Sequence, residues 1–319
     1  MEASQVDLTV HKGAISQVMF NRGGDLLLSS SMDSLVSLWN LEGNLLGTYS
    51  GHTGAVWTID VLEGDLVSGG GDAKIVVYDL ETGREKGHRF AETKISSARF
   101  CDREKIFFTT DNSLYKTPKV QLYDVRAGVS EVLTHSSVPT SICSFGDLMV
   151  FSDNLGFLNV FDIRKNEVVA SKKIHDEKIN ELKPSFCGTF FTTSSDDKKS
   201  KIVDFDLNVV KTFVSEDPIN SACVFRLNDK MVTAGGVSAR DVTLTEGNAR
   251  FDVKFHDIIT TQVVGSYSPH FGTINSVDVH PRGDRMISGG EDGIVCITTF
   301  GEDFYEAEFT EIGEEIKAK

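Results

Sequence analysis

The stretch 51–80, "GHTGAVWTIDVLEGDLVSGGGDAKIVVYDL", holds a histidine, a serine, a glycine run and an aspartate. Hydrolase triads and phosphate cradles are built from these residue types. A P-loop cradle needs Gly-Lys-Ser or Gly-Lys-Thr and a helix after it; "SGGGDAK" has neither and reads as a tight turn needing positive φ. "GGEDG" at 289–293 lacks the alternating Asp/Asn ligands of a calcium loop, so a turn is expected there too. A Ser, His and Asp triad remains open on composition. Whether this is a site turns on recurrence, because architecture repeats along a chain while chemistry is usually done once.

The residues recur. A His stands four positions before the start of a short apolar run at His11 (Ile15), His52 (Val56), His135 (Pro139), His175 (Ile179) and His270 (Ile274). An Asp follows six residues before the end of a later run: Asp33 before Trp39, Asp72 before Tyr78, Asp197 before Val203 and Asp292 before Thr298. With Ile95 and Ile219 marking two units that lack the His, the steps are 41, 39, 44, 40, 40 and 55 residues. That gives seven units, at about 11–50, 51–90, 91–134, 135–174, 175–214, 215–269 and 270–309.

Each unit reads as four short strands, as in "AISQVMF", "DLLLSSS", "LVSLWN" and "NLLGTYS", separated by Gly, Asp, Asn and Ser turn chemistry. Inside/outside alternation is weak, as expected for sheets covered on both faces. The expected fold is all-β: one domain, a seven-bladed β-propeller, which leaves only short outer edges. "VDLTV" within residues 1–10 has no blade of its own and is expected to close the ring in the last sheet, with "FYEAEF" extending or competing for that edge and 310–319 a polar tail. Within a blade, the His, a second-strand Ser, the Asp and the third-strand aromatic are expected to form a buried hydrogen-bond chain. Ser31 is the candidate serine beside His11, Asp33 and Trp39, and His52, Asp72, Tyr78, His175, His270 and Asp292 are the counterparts in other units. A buried polar group left unpaired costs ~1–3 kcal/mol, so such a chain is structural.

Composition narrows the function classes. The 32 Lys+Arg against 47 Asp+Glu give a net charge of -15, which disfavours direct nucleic-acid binding and suits a basic partner. Five cysteines without a CxxC pair point to no disulfide framework or zinc site, and no cofactor or metal is expected. No membrane span or signal peptide is read, and a cytoplasmic location is expected.

The His, Ser-x-Asp and Trp-Asn or Tyr-Asp pattern resembles the WD-repeat family over nearly the whole chain. More specifically, "LLGTYSGHTGAVW" (45–57), "ARDVTLTEGNARFDVKFHD" (239–257), "HFGTINSVDVHPRGDRMISGGEDGIV" (270–295) and "FYEAEF" (304–309) resemble the subunit i family of eukaryotic translation initiation factor 3. Leu155 stands where unit four should have its Asp, units three and six lack the His, and only Trp39 keeps tryptophan in the third strand. The resemblance implies a non-enzymatic scaffold in a hetero-oligomer. It would join subunits b and g of the factor and reach the small ribosomal subunit through the complex. It also implies that units five and six hold the C-terminal helix of subunit b. Propeller geometry puts "SDDKKS", "VSEDP" and the "VSARDVTLTEGN" insertion on one face, so Asp197, Lys198, Lys199, Glu216 and Asp217, with Asp196 and Asp241 nearby, are the candidate docking residues. The alternatives are a WD-repeat adaptor of another complex and a propeller hydrolase.

Overall fold

The computed structural model describes residues 2–128, 130–134, 136–226, 229–237, 251–301, 304 and 317–318. Burial changes systematically across each unit. The first strands of units one and three, Ile15–Phe20 and Ile95–Phe100, bury their first, third, fourth and sixth residues. The second strands, such as Leu26–Ser31 and Asp65–Gly70, bury five residues in a row. Fourth strands such as Leu45–Tyr49 and Glu85–Phe90 are largely exposed. A strand buried on both faces cannot alternate, which is why the hydrophobic period is weak. Pairing is antiparallel and sequential in the first six blades: Ile15–Phe20, Leu26–Ser31, Val36–Asn40 and Leu45–Tyr49 form the first sheet, and five more follow the same order up to Ile219–Val224, Lys230–Gly235, Val253–Asp257 and Val263–Tyr267. The first strands of successive blades pack against one another, and Ile15–Phe20 packs against Ile274–Val279 of blade seven, so the sheets close into a seven-bladed β-propeller.

The two chain ends meet in the last sheet. Glu2–Leu8 pairs antiparallel with Val295–Phe300, in the register Leu8 opposite Val295, and takes the outer place that a fourth strand fills elsewhere. Lys317–Ala318 pairs parallel with Glu2–Ala3 on the far side of that strand. Phe304 is buried against Phe225, Phe255 and Phe300, stacking on Phe300 at 4.1 Å between ring centroids.

The glycine run of blade two serves close approach and not the positive-φ turn expected for it. A Cβ on Gly69 would run into Ile95 of the next blade, and one on Gly70 would stand 2.6 Å from both the His52 ring and the Asp72 carboxylate. The left-handed position is taken by Ala73 (φ 59°), as it is by Ser34 (φ 71°) and Lys198 (φ 66°) in the same turn of blades one and five; blades four and seven place a glycine there, Gly156 (φ 86°) and Gly293 (φ 77°).

Candidate functional site

In blade one, His11 Nδ1 meets Asp33 Oδ2 at 3.0 Å and its Nε2 meets Ser29 Oγ at 2.9 Å; the Trp39 indole N–H donates to the same Ser29 oxygen at 3.0 Å. The second-strand partner is thus Ser29 and not Ser31. Ser31 lies one pleat nearer the turn, where its Oγ accepts the Asp33 amide at 3.1 Å and donates to Gly13 O at 3.0 Å. Asp33 also accepts the Lys12 and Leu35 amides, so one carboxylate fixes the loop entering the blade, the histidine and the following turn.

The arrangement repeats with substitutions. His52 joins Asp72 at 3.0 Å and Ser68 at 2.7 Å; Tyr78 stands opposite Leu66 as Trp39 does opposite Leu27, but its buried hydroxyl has no hydrogen-bond partner, so the expected place of Tyr78 in the chain of hydrogen bonds is not taken up. His175 joins Asp197 at 2.9 Å and Thr193 at 2.7 Å; His270 joins Asp292 at 3.0 Å and Ser288 at 2.8 Å. Burial works to raise each of these four aspartates, yet the histidine and backbone amides hold all of them below the ordinary carboxylate value. In blade four, Asp153 accepts from the Ser137 hydroxyl and from the Leu155 and Phe157 amides, while Asn154 accepts the Val138 amide. Two side chains thus share the task that Leu155 cannot do. His135 lies outside the described residues.

Blade six contains a device that the His and Asp spacing does not reveal. It lacks the first histidine, but His256 stands opposite Met231 in the place of Trp39 and bonds Thr233 Oγ1 at 2.9 Å. Burial, helped by Lys254, pushes this imidazole down to about 4. The signal was "VKFHD" aligned on "VSLWN", with histidine replacing tryptophan as the ring with a polar edge.

Neighbouring blades five and six bring the candidate docking residues together. Ser215 N donates to Lys198 O at 2.8 Å, joining the turn of blade five to the loop entering blade six. Lys254 Nζ reaches Ser215 Oγ at 3.2 Å, and Asp217 N approaches the same oxygen. Lys198 and Glu216 are exposed, and Asp217 is partly so. Lys199 pairs with Asp176 at 3.3 Å. Asp197 does not belong to this surface: its side chain is only 4% exposed and its oxygens are taken by His175, Asp176 N and Lys199 N. Asp196 bonds Asn180 Nδ2 at 2.7 Å, facing the central channel. Asp241 and most of the blade-six insertion lie outside the described residues.

The recurring His, Ser or Thr, and Asp groups are thus ones that hold the blades together. No cluster of three or more His, Cys, Asp or Glu side chains able to hold a metal is found among the described residues, and no helix among them is long and apolar enough to cross a membrane.

Seven sheets in a ring, four of them tied by a His and Asp network with a second-strand hydroxyl, define a WD-repeat β-propeller. In accord with this, the β-propeller domain of Cps50 (Swd1) from Myceliophteria thermophila superposes with a TM-score of 0.77 over 92% of this chain and 98% of that one, at 17% identity, a likeness of fold alone. The EIF3I family model matches residues 5–310. Eukaryotic translation initiation factor 3 subunit I of Anopheles gambiae is 33% identical over 94% of this chain and 97% of that protein. The Xenopus tropicalis protein of the same name is 34% identical over 94% and 97%. The chain belongs to the EIF3I family.

Proposed function

We propose that the chain is a non-enzymatic scaffold subunit of translation initiation factor 3, acting in the cytoplasm. It docks subunits b and g and thereby serves the factor on the small ribosomal subunit. The family match along nearly the whole chain carries this reading. Its reactive residue types are committed to blade networks, which supports binding over catalysis. The docking surface for the C-terminal helix of subunit b is the junction of blades five and six. Exposed Glu216 and the partly exposed Asp217 supply negative charge there, Lys198 and Lys199 flank them, and Asp197 holds the turn from below. An acidic rim suits a helix with arginine and aromatic anchors.

Affinity capture of the tagged chain from its native cytoplasm tests the reading. Co-purification of the factor subunits and 40S particles supports it; capture of a different assembly, or a free monomer with hydrolytic turnover, overturns it.

A further inference from the structure

Blade six lacks the histidine that ties the entering loop to the second strand in blades one, two, five and seven. Counting back four residues from Ile219, the start of its first strand, places Ser215 where His11, His52, His175 and His270 stand before Ile15, Val56, Ile179 and Ile274. The second-strand hydroxyl is present as Thr233, but it is taken by His256 of the third strand, so no imidazole joins it to the loop. The loop is held at its backbone, with Ser215 N donating to Lys198 O at 2.8 Å.

Ser215 is partly exposed, and two donors converge on its hydroxyl. Its Oγ accepts from Lys254 Nζ at 3.2 Å and is approached by Asp217 N at 3.4 Å. Among the described residues no acceptor for its own proton is found. An ammonium and an amide N–H meeting at one point are the donors that phosphate oxygens use. Lys198, exposed on the adjoining turn, adds a second positive charge, set against Glu216, Asp217 and Asp252. The segment "VSEDP" places two carboxylates directly after the serine, in a loop that is open to solvent at Glu216. Kinases select substrates by such charge patterns, and a basic kinase pocket reads carboxylates that follow the target hydroxyl.

We propose that Ser215 is a phosphorylation site for a serine kinase selective for acidic residues after its target. The Ser215 oxygen attacks the γ-phosphorus of a nucleoside triphosphate, the bond to the β,γ-bridging oxygen breaks, the nucleoside diphosphate leaves, and the serine proton passes to the kinase's base. The phosphate then reaches from the loop to Lys254 on the third strand, supplying the tie that an imidazole supplies in other blades. The junction of blades five and six is also the docking surface proposed above. On that reading a bound helix shields Ser215, so the modification belongs to the unassembled chain and is tested on the chain alone.

The full chain is incubated with magnesium ATP and an acidophilic serine kinase, and the phosphate is mapped by mass spectrometry of its peptides. Ser215 is expected to be phosphorylated, roughly fivefold or more slowly in the Glu216→Gln, Asp217→Asn double variant. By phosphorus NMR, the phosphoserine of the Lys254→Gln variant should titrate about half a pH unit higher than that of the parent, because a nearby cation favours the dianion. Absence of phosphate on Ser215, an unchanged rate in the double variant, or the same titration with and without Lys254 overturns the proposal.

Discussion

Trp39 donates its indole N–H to Ser29 Oγ at 3.0 Å, and the same hydroxyl meets His11 Nε2 at 2.9 Å. One serine oxygen therefore joins the third strand of blade one to the loop that enters it, and both rings lie buried around it. Ser29→Ala strands two buried N–H or N groups at once and is expected to cost ~1–3 kcal/mol, more than Ser31→Ala, whose hydroxyl serves a turn. Trp39→Ala should cost ~3–5 kcal/mol through lost packing. Equilibrium urea denaturation of the three variants checks the order; Ser31→Ala as the costlier serine change would contradict the network.

Ring closure makes the chain's beginning more important than its end. Ala3 and Leu8 are buried where Glu2–Leu8 pairs with Val295–Phe300. Deleting residues 1–8 removes those side chains from the core and bares a sheet edge. Among the described residues, removing residues 311–319 takes away the short pairing of Lys317–Ala318. The first deletion is expected to lower the thermal midpoint by several degrees and promote aggregation, the second to change it little. Scanning calorimetry with light scattering reads both, and equal tolerance would argue against closure by the first strand.

His256 imposes a pH dependence whose sign follows from burial. Its imidazole is held down to about 4 by burial, with Lys254 adding to the effect, while an unfolded histidine titrates at about 6.5. The unfolded chain binds that proton first, so the stability His256 contributes is present above about pH 6.5 and falls progressively toward pH 4. The loss is about 3 kcal/mol. His175 is also lowered by burial despite Asp197 and acts in the same direction. In His256→Gln the slope of unfolding free energy between pH 6.5 and 4 should be shallower than in the parent; an identical slope, measured by denaturant titration at several pH values, would contradict this.

The recurring His and Asp mark blades because both are needed at fixed places, the imidazole spanning from the loop to the second strand and the carboxylate capping loop and turn together, while the two units without the His are placed by the apolar starts of their first strands at Ile95 and Ile219. The inner serine was misread, since Ser29 and Ser31 share a strand face and only the depth of the histidine ring selects between them. His256 was missed because its role is carried by a different residue type at a third-strand position, on the far side of an off-period insertion. Asp197 shows the opposite error. A charge at a turn reads as surface, but here two amides and a histidine draw it inward.

The central claim is that the chain is a scaffold whose blades five and six hold the C-terminal helix of subunit b through the exposed charge at Glu216 and Asp217. The most direct measurement is isothermal calorimetry of that helix against the parent chain and the Glu216→Lys, Asp217→Lys double variant, at low and high salt. The account predicts binding weakened tenfold or more by the reversal, a smaller difference at high salt because exposed charges are screened, and an unchanged thermal midpoint. Undiminished binding by a folded double variant would contradict it.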